Sequence, residues 1–440
     1  MILIEKISSI KKIYYKIILV LSFIISWVSI GTHYTNILIF TPNEGVSLTE
    51  VIDFIRITLN LFCFPILGFM FFMSMSKYKK NNINPYITFF IPLLCFLSQI
   101  PGLFYTSNSF WNLFYVLSAI NILIILNLVI LNFENDEIYL VIFLTFILLA
   151  IVFFMSFTQD LLSYLNSGHL FYGRINYLIG DSHIRSSGTS RMALILLIIY
   201  SLFSVRYIGP KILQIVPLIL FSTSIILYQS RANMGLAIIF VILSYLILEK
   251  YTLISFFKYL LIYFLIPILL FFSLLSIDIK EDIIRINSPN QIVISDIEII
   301  KRKIRFFQGN QVMTTSGRIN DWKKIIDKFN YKDNLFFGYG VQGDRYLINQ
   351  TASNGLMYTF VSSGIIGLIF FLILSLISGI QILKYLFVNK KKELIGQFSF
   401  FIILIILIRS LVETSYSLFG VDLMLFYTGF ILMQRHGHLK

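Results

Sequence analysis

Charge is scarce in this chain: Asp, Glu, Lys and Arg together make up only 13% of 440 residues. A soluble globular domain carries roughly a quarter, so a surface wetted on all sides is excluded. Cysteine is nearly absent as well. Cys63 and Cys95 both sit in apolar runs, which argues against a disulfide framework and against a Cys-based zinc site. The ten-residue alternation of a membrane β-barrel is missing, and open strands would leave unpaired backbone groups in lipid. No cleavable leader is evident; the basic start from Lys6 to Lys16 runs into a full-length apolar span and reads as an uncleaved anchor.

What is there is apolar. Hydrophobic residues are 57% of the chain, and they recur in blocks long enough to span roughly 30 Å of hydrocarbon. The expected fold is an all-α polytopic membrane protein with about twelve transmembrane helices. They are expected near 16–32, 51–75, 85–104, 111–131, 139–159, 191–207, 211–229, 232–249, 257–277, 356–384, 396–412 and 420–433. The short loops 33–50 and 105–110 contain no Lys or Arg. The alternate loops hold Lys77, Lys79, Lys80, Arg206, Lys211, Lys250, Lys258 and Lys390 to Lys392, so both termini are expected in the cytoplasm. Two segments then lie outside, a smaller loop at 160–190 and a large one at 278–354. The whole, 1–440, reads as a single integral membrane domain.

Lysine and arginine divide between the two sides. The predicted cytoplasmic side holds fifteen lysines and the arginines Arg206 and Arg435. The outer side and its helix ends hold seven lysines and the ten arginines Arg174, Arg185, Arg191, Arg231, Arg285, Arg302, Arg305, Arg318, Arg345 and Arg409. Lysine suits loose anchoring, whereas the guanidinium fork suits bidentate binding of phosphate or carboxylate. An outward-facing pocket for an anion is the expectation; the bland alternative is snorkelling to headgroups or pairing with local acids.

The large loop carries its own helical pattern. Ser295 and Glu298 form a capping box before Ile297, Ile300, Ile304 and Phe307, and Gly309 can end that helix. A second helix is expected after Ser316, with Ile319, Trp322, Ile326 and Phe329 as its apolar stripe. Phe337-Gly-Tyr-Gly-Val-Gln-Gly-Asp344 must be a loop, and its glycines are too irregular for a nucleotide fingerprint.

Three stretches resemble the bacterial O-antigen polymerase and O-antigen ligase superfamily. They are Arg185-Ser-Ser-Gly-Thr-Ser-Arg-Met-Ala193, Tyr228-Gln-Ser-Arg-Ala-Asn-Met-Gly235, and Ser316-Gly-Arg-Ile-Asn-Asp-Trp322 with Phe337 to Gly340, Asn354 and Gly364-Ile-Ile-Gly367. The resemblance implies a GT-C-like fold and a metal-independent glycosyltransferase without cofactor. Its donor would be an undecaprenyl-diphosphate-linked oligosaccharide, its surroundings membrane lipid, and its partners a chain-length regulator and a flippase of the same pathway, with no nucleic acid. By motif match, Arg231 and Arg318 take the positions of functional arginines that bind the substrate diphosphate, with Arg185, Arg191 and Arg409 as further candidates. Ligases of this superfamily carry a His before the Asn at the end of the large loop; here Ser353 precedes Asn354, which favours the polymerase. Glu413 and Asp344 are the candidate catalytic bases, with Asp321, His169 and His183 also outside. Glu413 lies one helical turn after Arg409, so an ion pair between them is its structural alternative. Asp344 has a solvated turn as its alternative. A flippase or a secondary transporter stays open as another class, although no internal repeat is visible.

Overall fold

The computed structural model describes residue 16, residues 64–273 and residues 318–437, apart from 82, 106–108, 168–173, 177–182, 209, 229, 249–252, 388–392 and 418–419. The expected first span, the start of the second, the capping-box helix at 295–309 and His169 lie outside the described residues. The apolar blocks fold as helices because only an intrasegment ladder satisfies the backbone in lipid. Ser109–Asn132, Ser186–Tyr207, Lys211–Leu227, Arg231–Leu248, Gly355–Phe387, Leu394–Ser410 and Val421–Gly437 fall within a few residues of the expected spans. Among the described residues, three helices are long and apolar enough to cross a membrane: Tyr86–Tyr105, Tyr115–Asn132 and Gly355–Phe387. The first of these is interrupted. Pro92 has no N–H to give, and a π turn at Tyr86–Phe90 precedes it.

By internal packing the chain divides into two compact units, residues 1–145 with 317–440, and residues 146–316. In the first, the helices Ser109–Asn132 and Val421–Gly437 are buried on all sides over residues 118–131 and 421–434, with Ile122, Leu123, Leu128, Leu423, Phe426 and Phe430 fully enclosed. A helix apolar all round belongs at the centre of such a bundle. Phe64–Ser74 packs on one of these helices and Leu394–Ser410 on the other.

Gly355–Phe387 is not one continuous helix. It breaks at Gly364, where φ is 62° and ψ is −159°. The freed groups pair with the loop before it: Tyr339 N–H donates to the Val361 carbonyl at 2.7 Å, Gly340 N–H to Ser362 at 2.9 Å, and Ile365 N–H to Leu335 at 2.9 Å. A Cβ on Gly364 would lie 2.3 Å from the Phe336 backbone, so only glycine fits. Residues 337–342 are the loop expected from sequence, whereas Gly343 and Asp344 open the short helix Gly343–Ile348. The loop glycines let backbone lie on backbone.

In the second unit, Ser186–Tyr207 is the central helix, with Ala193, Leu196 and Leu197 buried against Lys211–Leu227 and Arg231–Leu248. The smaller loop departs from the all-α expectation. Arg174–Asn176 and His183–Arg185 form a short antiparallel ribbon, with Arg174 opposite Arg185.

Candidate active site

Arg318 is the first residue of the helix Arg318–Lys328, with Asp321 in its first turn. A cation is misplaced at that end of a helix dipole unless it has an anionic partner. Here the partner is Glu413: Arg318 Nη2 donates to Glu413 Oε1 at 3.2 Å, and each side chain is about a quarter exposed (25% and 24%). The ion pair expected between Glu413 and Arg409 is therefore corrected. Sequence spacing put Arg409 one turn away, but the helix Leu394–Ser410 ends at Ser410, and Glu413 lies in the turn beyond it, where helical facing no longer holds.

The same helix reaches the end of the large loop. Trp322 Nε1–H donates to the Ala352 carbonyl at 2.6 Å. Its buried stripe is also corrected. Ile325 (0% exposed) and Phe329 (4%) face inward, while Ile319 (56%) and Ile326 (47%) are exposed. The choice was ambiguous in sequence, because three- and four-residue spacings both fit a helix face.

Asp344 is not a solvated turn residue. It is buried, and its two oxygens accept the Ala352 N–H at 2.7 Å and the Arg345 N–H at 2.9 Å. Burial pushes its pKa above the usual carboxylate value, against the pull of those backbone bonds. Such a group braces a loop. The stretch it braces turns into the broken span through Ser353, whose φ of 49° is left-handed, and Asn354. Asn354 Oδ1 caps the next helix by accepting the Met357 N–H at 3.0 Å. Its Nδ2 donates to the Leu411 carbonyl at 2.8 Å, which ties the loop end to the turn that carries Glu413.

Arg409 is buried, and Nη1 pairs with Asp422 Oδ2. Asp422 stands in the first turn of Val421–Gly437, where the helix dipole favours an anion. Sequence reasoning passed over Asp422, although a carboxylate just inside an apolar span was the available signal.

The family model described as O-antigen ligase matches residues 216–372, about a third of the chain. The match places residues 216–372 in the O-antigen polymerase and ligase superfamily. No protein of curated function and no solved structure matches it. Superfamily members are integral membrane proteins, and the apolar helices described above accord with that.

Within the superfamily match lie Arg231, Arg318, Asp344, Ser353 and Asn354; Arg185, Arg191, Arg409 and Glu413 lie outside it. Arg231, in the second unit, opens Arg231–Leu248, as Arg318 opens its own helix. The first N–H groups of any helix have no intrahelical acceptor, so a guanidinium at that end adds to a terminus suited to an oxyanion. Ser230, just before Arg231, is buried and accepts from Asn233 Nδ2 at 3.0 Å. Arg191 sits in the second turn of Ser186–Tyr207 beside the buried Thr189 and Ser190, and Arg185 ends the ribbon.

Proposed function

We propose that this protein is an O-antigen, or surface-polysaccharide, polymerase that joins undecaprenyl-diphosphate-linked oligosaccharide repeat units at the periplasmic face of the inner membrane. The observation that carries this reading is the partly buried Arg318–Glu413 pair where the large loop meets the bundle. A hydroxyl of the acceptor sugar attacks the anomeric carbon of the donor. The bond from that carbon to the lipid diphosphate breaks, and the hydroxyl proton passes to Glu413. The departing diphosphate gathers negative charge, which Arg318 stabilises as a fixed bidentate donor. An arriving diphosphate competes with Glu413 for the Arg318 guanidinium, so donor binding itself releases the carboxylate. Asp344 holds the loop and Arg409 the bundle, rather than base and diphosphate. A chain-length regulator and a flippase of the same pathway are the protein partners this reading calls for.

The ligase is the second reading, and the matching family model is described by that name while covering both activities. Against the ligase reading stands Ser353, in the place of the ligase His. Serine does not titrate near neutrality, and its Oγ lies 3.2 Å from Thr351 Oγ and 3.5 Å from the Thr351 carbonyl. Ser353→Ala is expected to lower activity by about tenfold or less, about 1.4 kcal/mol of barrier. The measurement is the ladder of surface polysaccharide lengths in cells expressing each variant at matched level. A polymerase defect leaves one repeat unit on the acceptor lipid and a ligase defect leaves none. A Ser353→Ala strain with no attached unit would overturn the polymerase assignment in favour of the ligase.

The reading also requires residues 278–354 in the periplasm and both termini in the cytoplasm. A periplasm-dependent reporter inserted at Asn310 is expected to be active, and the same reporter fused after Lys440 inactive. The opposite pattern overturns the topology and the reaction together.

A further inference from the structure

The turn that carries Glu413 is held from both ends by one buried carboxylate. Asp422 Oδ2 receives Arg409 Nη1, from the last turn of the preceding helix, and the Ser415 hydroxyl at 3.2 Å. Arg409 and Ser415 flank Glu413 on either side in sequence. Glu413 N–H itself donates to the Arg409 carbonyl at 2.9 Å. Ser415 has a φ of 42°, a conformation that residues with a side chain rarely adopt. Such a backbone persists only where its surroundings over-determine it, and strained positions of this kind gather at functional sites. The next residue supplies the third anchor. Tyr416 is buried between Phe371 and Phe426, with ring centroids 4.8 Å and 3.9 Å away, and its hydroxyl meets Ser375 Oγ at 2.5 Å. Three spans thus converge on a turn of a few residues whose one acidic side chain reaches Arg318.

We infer that Asp422, acting through Arg409 and Ser415, is a positioning residue that sets where the Glu413 carboxylate stands against Arg318. This rests on the role proposed for Glu413. A buried pair of this kind is no strong source of stability, since apolar replacement of both partners is often neutral or stabilising. Its geometry accounts for something else: it joins the two sides of the turn that lies between the helices Leu394–Ser410 and Val421–Gly437. Displacing a reacting group by about 1 Å can cost about a hundredfold in rate.

The test uses the full-length protein in phospholipid vesicles, supplied with lipid-linked repeat units extracted from cells that lack it. Removing one partner alone strands a buried charge and endangers the fold, so the main variant is the double substitution R409M/D422L. Ser415→Gly, which accepts the left-handed backbone but lacks the hydroxyl, is the second. R409M/D422L is expected to keep the melting temperature of the parent and KM within about twofold, while kcat falls by about ten- to a hundredfold. Ser415→Gly is expected to fall in the same direction by a smaller factor. In a Glu413→Gln background both losses should vanish, because there is no carboxylate left to place. A normal kcat per folded molecule, or an equal further loss in the Glu413→Gln background, overturns the inference while leaving the role of Glu413 intact. A normal rate for Glu413→Gln alone overturns that role, and this inference with it.

Discussion

Glu413→Gln is expected to lower polymer formation by about 10²–10⁴-fold, the usual loss when a positioned base is removed. Glutamine keeps the size of the side chain and an acceptor oxygen for Arg318, so the turn and the large loop should stay in place. The expected gel pattern is a single repeat unit on the acceptor lipid, with protein level and membrane insertion unchanged. Asp344 gives the contrast. Asp344→Asn replaces one acceptor by a donor against a backbone N–H, so any loss should come with a loosened loop, seen as faster proteolysis within 318–354. If Glu413→Gln polymerises normally while Asp344→Asn is inactive yet equally protease-resistant, the two carboxylates have been assigned in the wrong order.

Arg318→Lys is expected to retain a cation beside Glu413 and still lose about 10²-fold in polymer formation, a typical cost of removing one pre-positioned donor from a developing oxyanion. Lysine offers a point charge on a flexible stem and gives up the planar fork. The helix dipole penalises both cations equally at this position, so helix stability does not separate them. Arg231→Lys should behave alike, with normal insertion. The measurement is the rate of lipid-linked unit consumption at matched protein level. Wild-type rates in both lysine variants would show that charge alone suffices and that bidentate recognition of the diphosphate is wrong.

The membrane class and most of the described helix positions were legible in the sequence because they depend on local quantities. Apolar length decides whether a segment can span, and Gly209-Pro210 and Ser230-Arg231 mark breaks wherever the chain goes next. The resemblance in Ser316 to Trp322 and at Asn354 likewise needed no coordinates, and it selected Arg318. Local pattern could not choose partners. Arg409 and Glu413 are a turn apart in sequence, yet the helix ends between them, and each finds its opposite charge on another element, Asp422 and Arg318. Periodicity left two stripes open for the loop helix, and packing chose Ile325 over Ile319 and Ile326. The break at Gly364 was hidden for the same reason. An apolar run reads as one helix until a second segment, here Leu335 to Gly340, arrives to take over its hydrogen bonds. Sequence alone fixes what lies in lipid, because burial there is set by composition along the chain. Which arginine meets which carboxylate depends on contacts between residues far apart in sequence, and only the tertiary fold decides those.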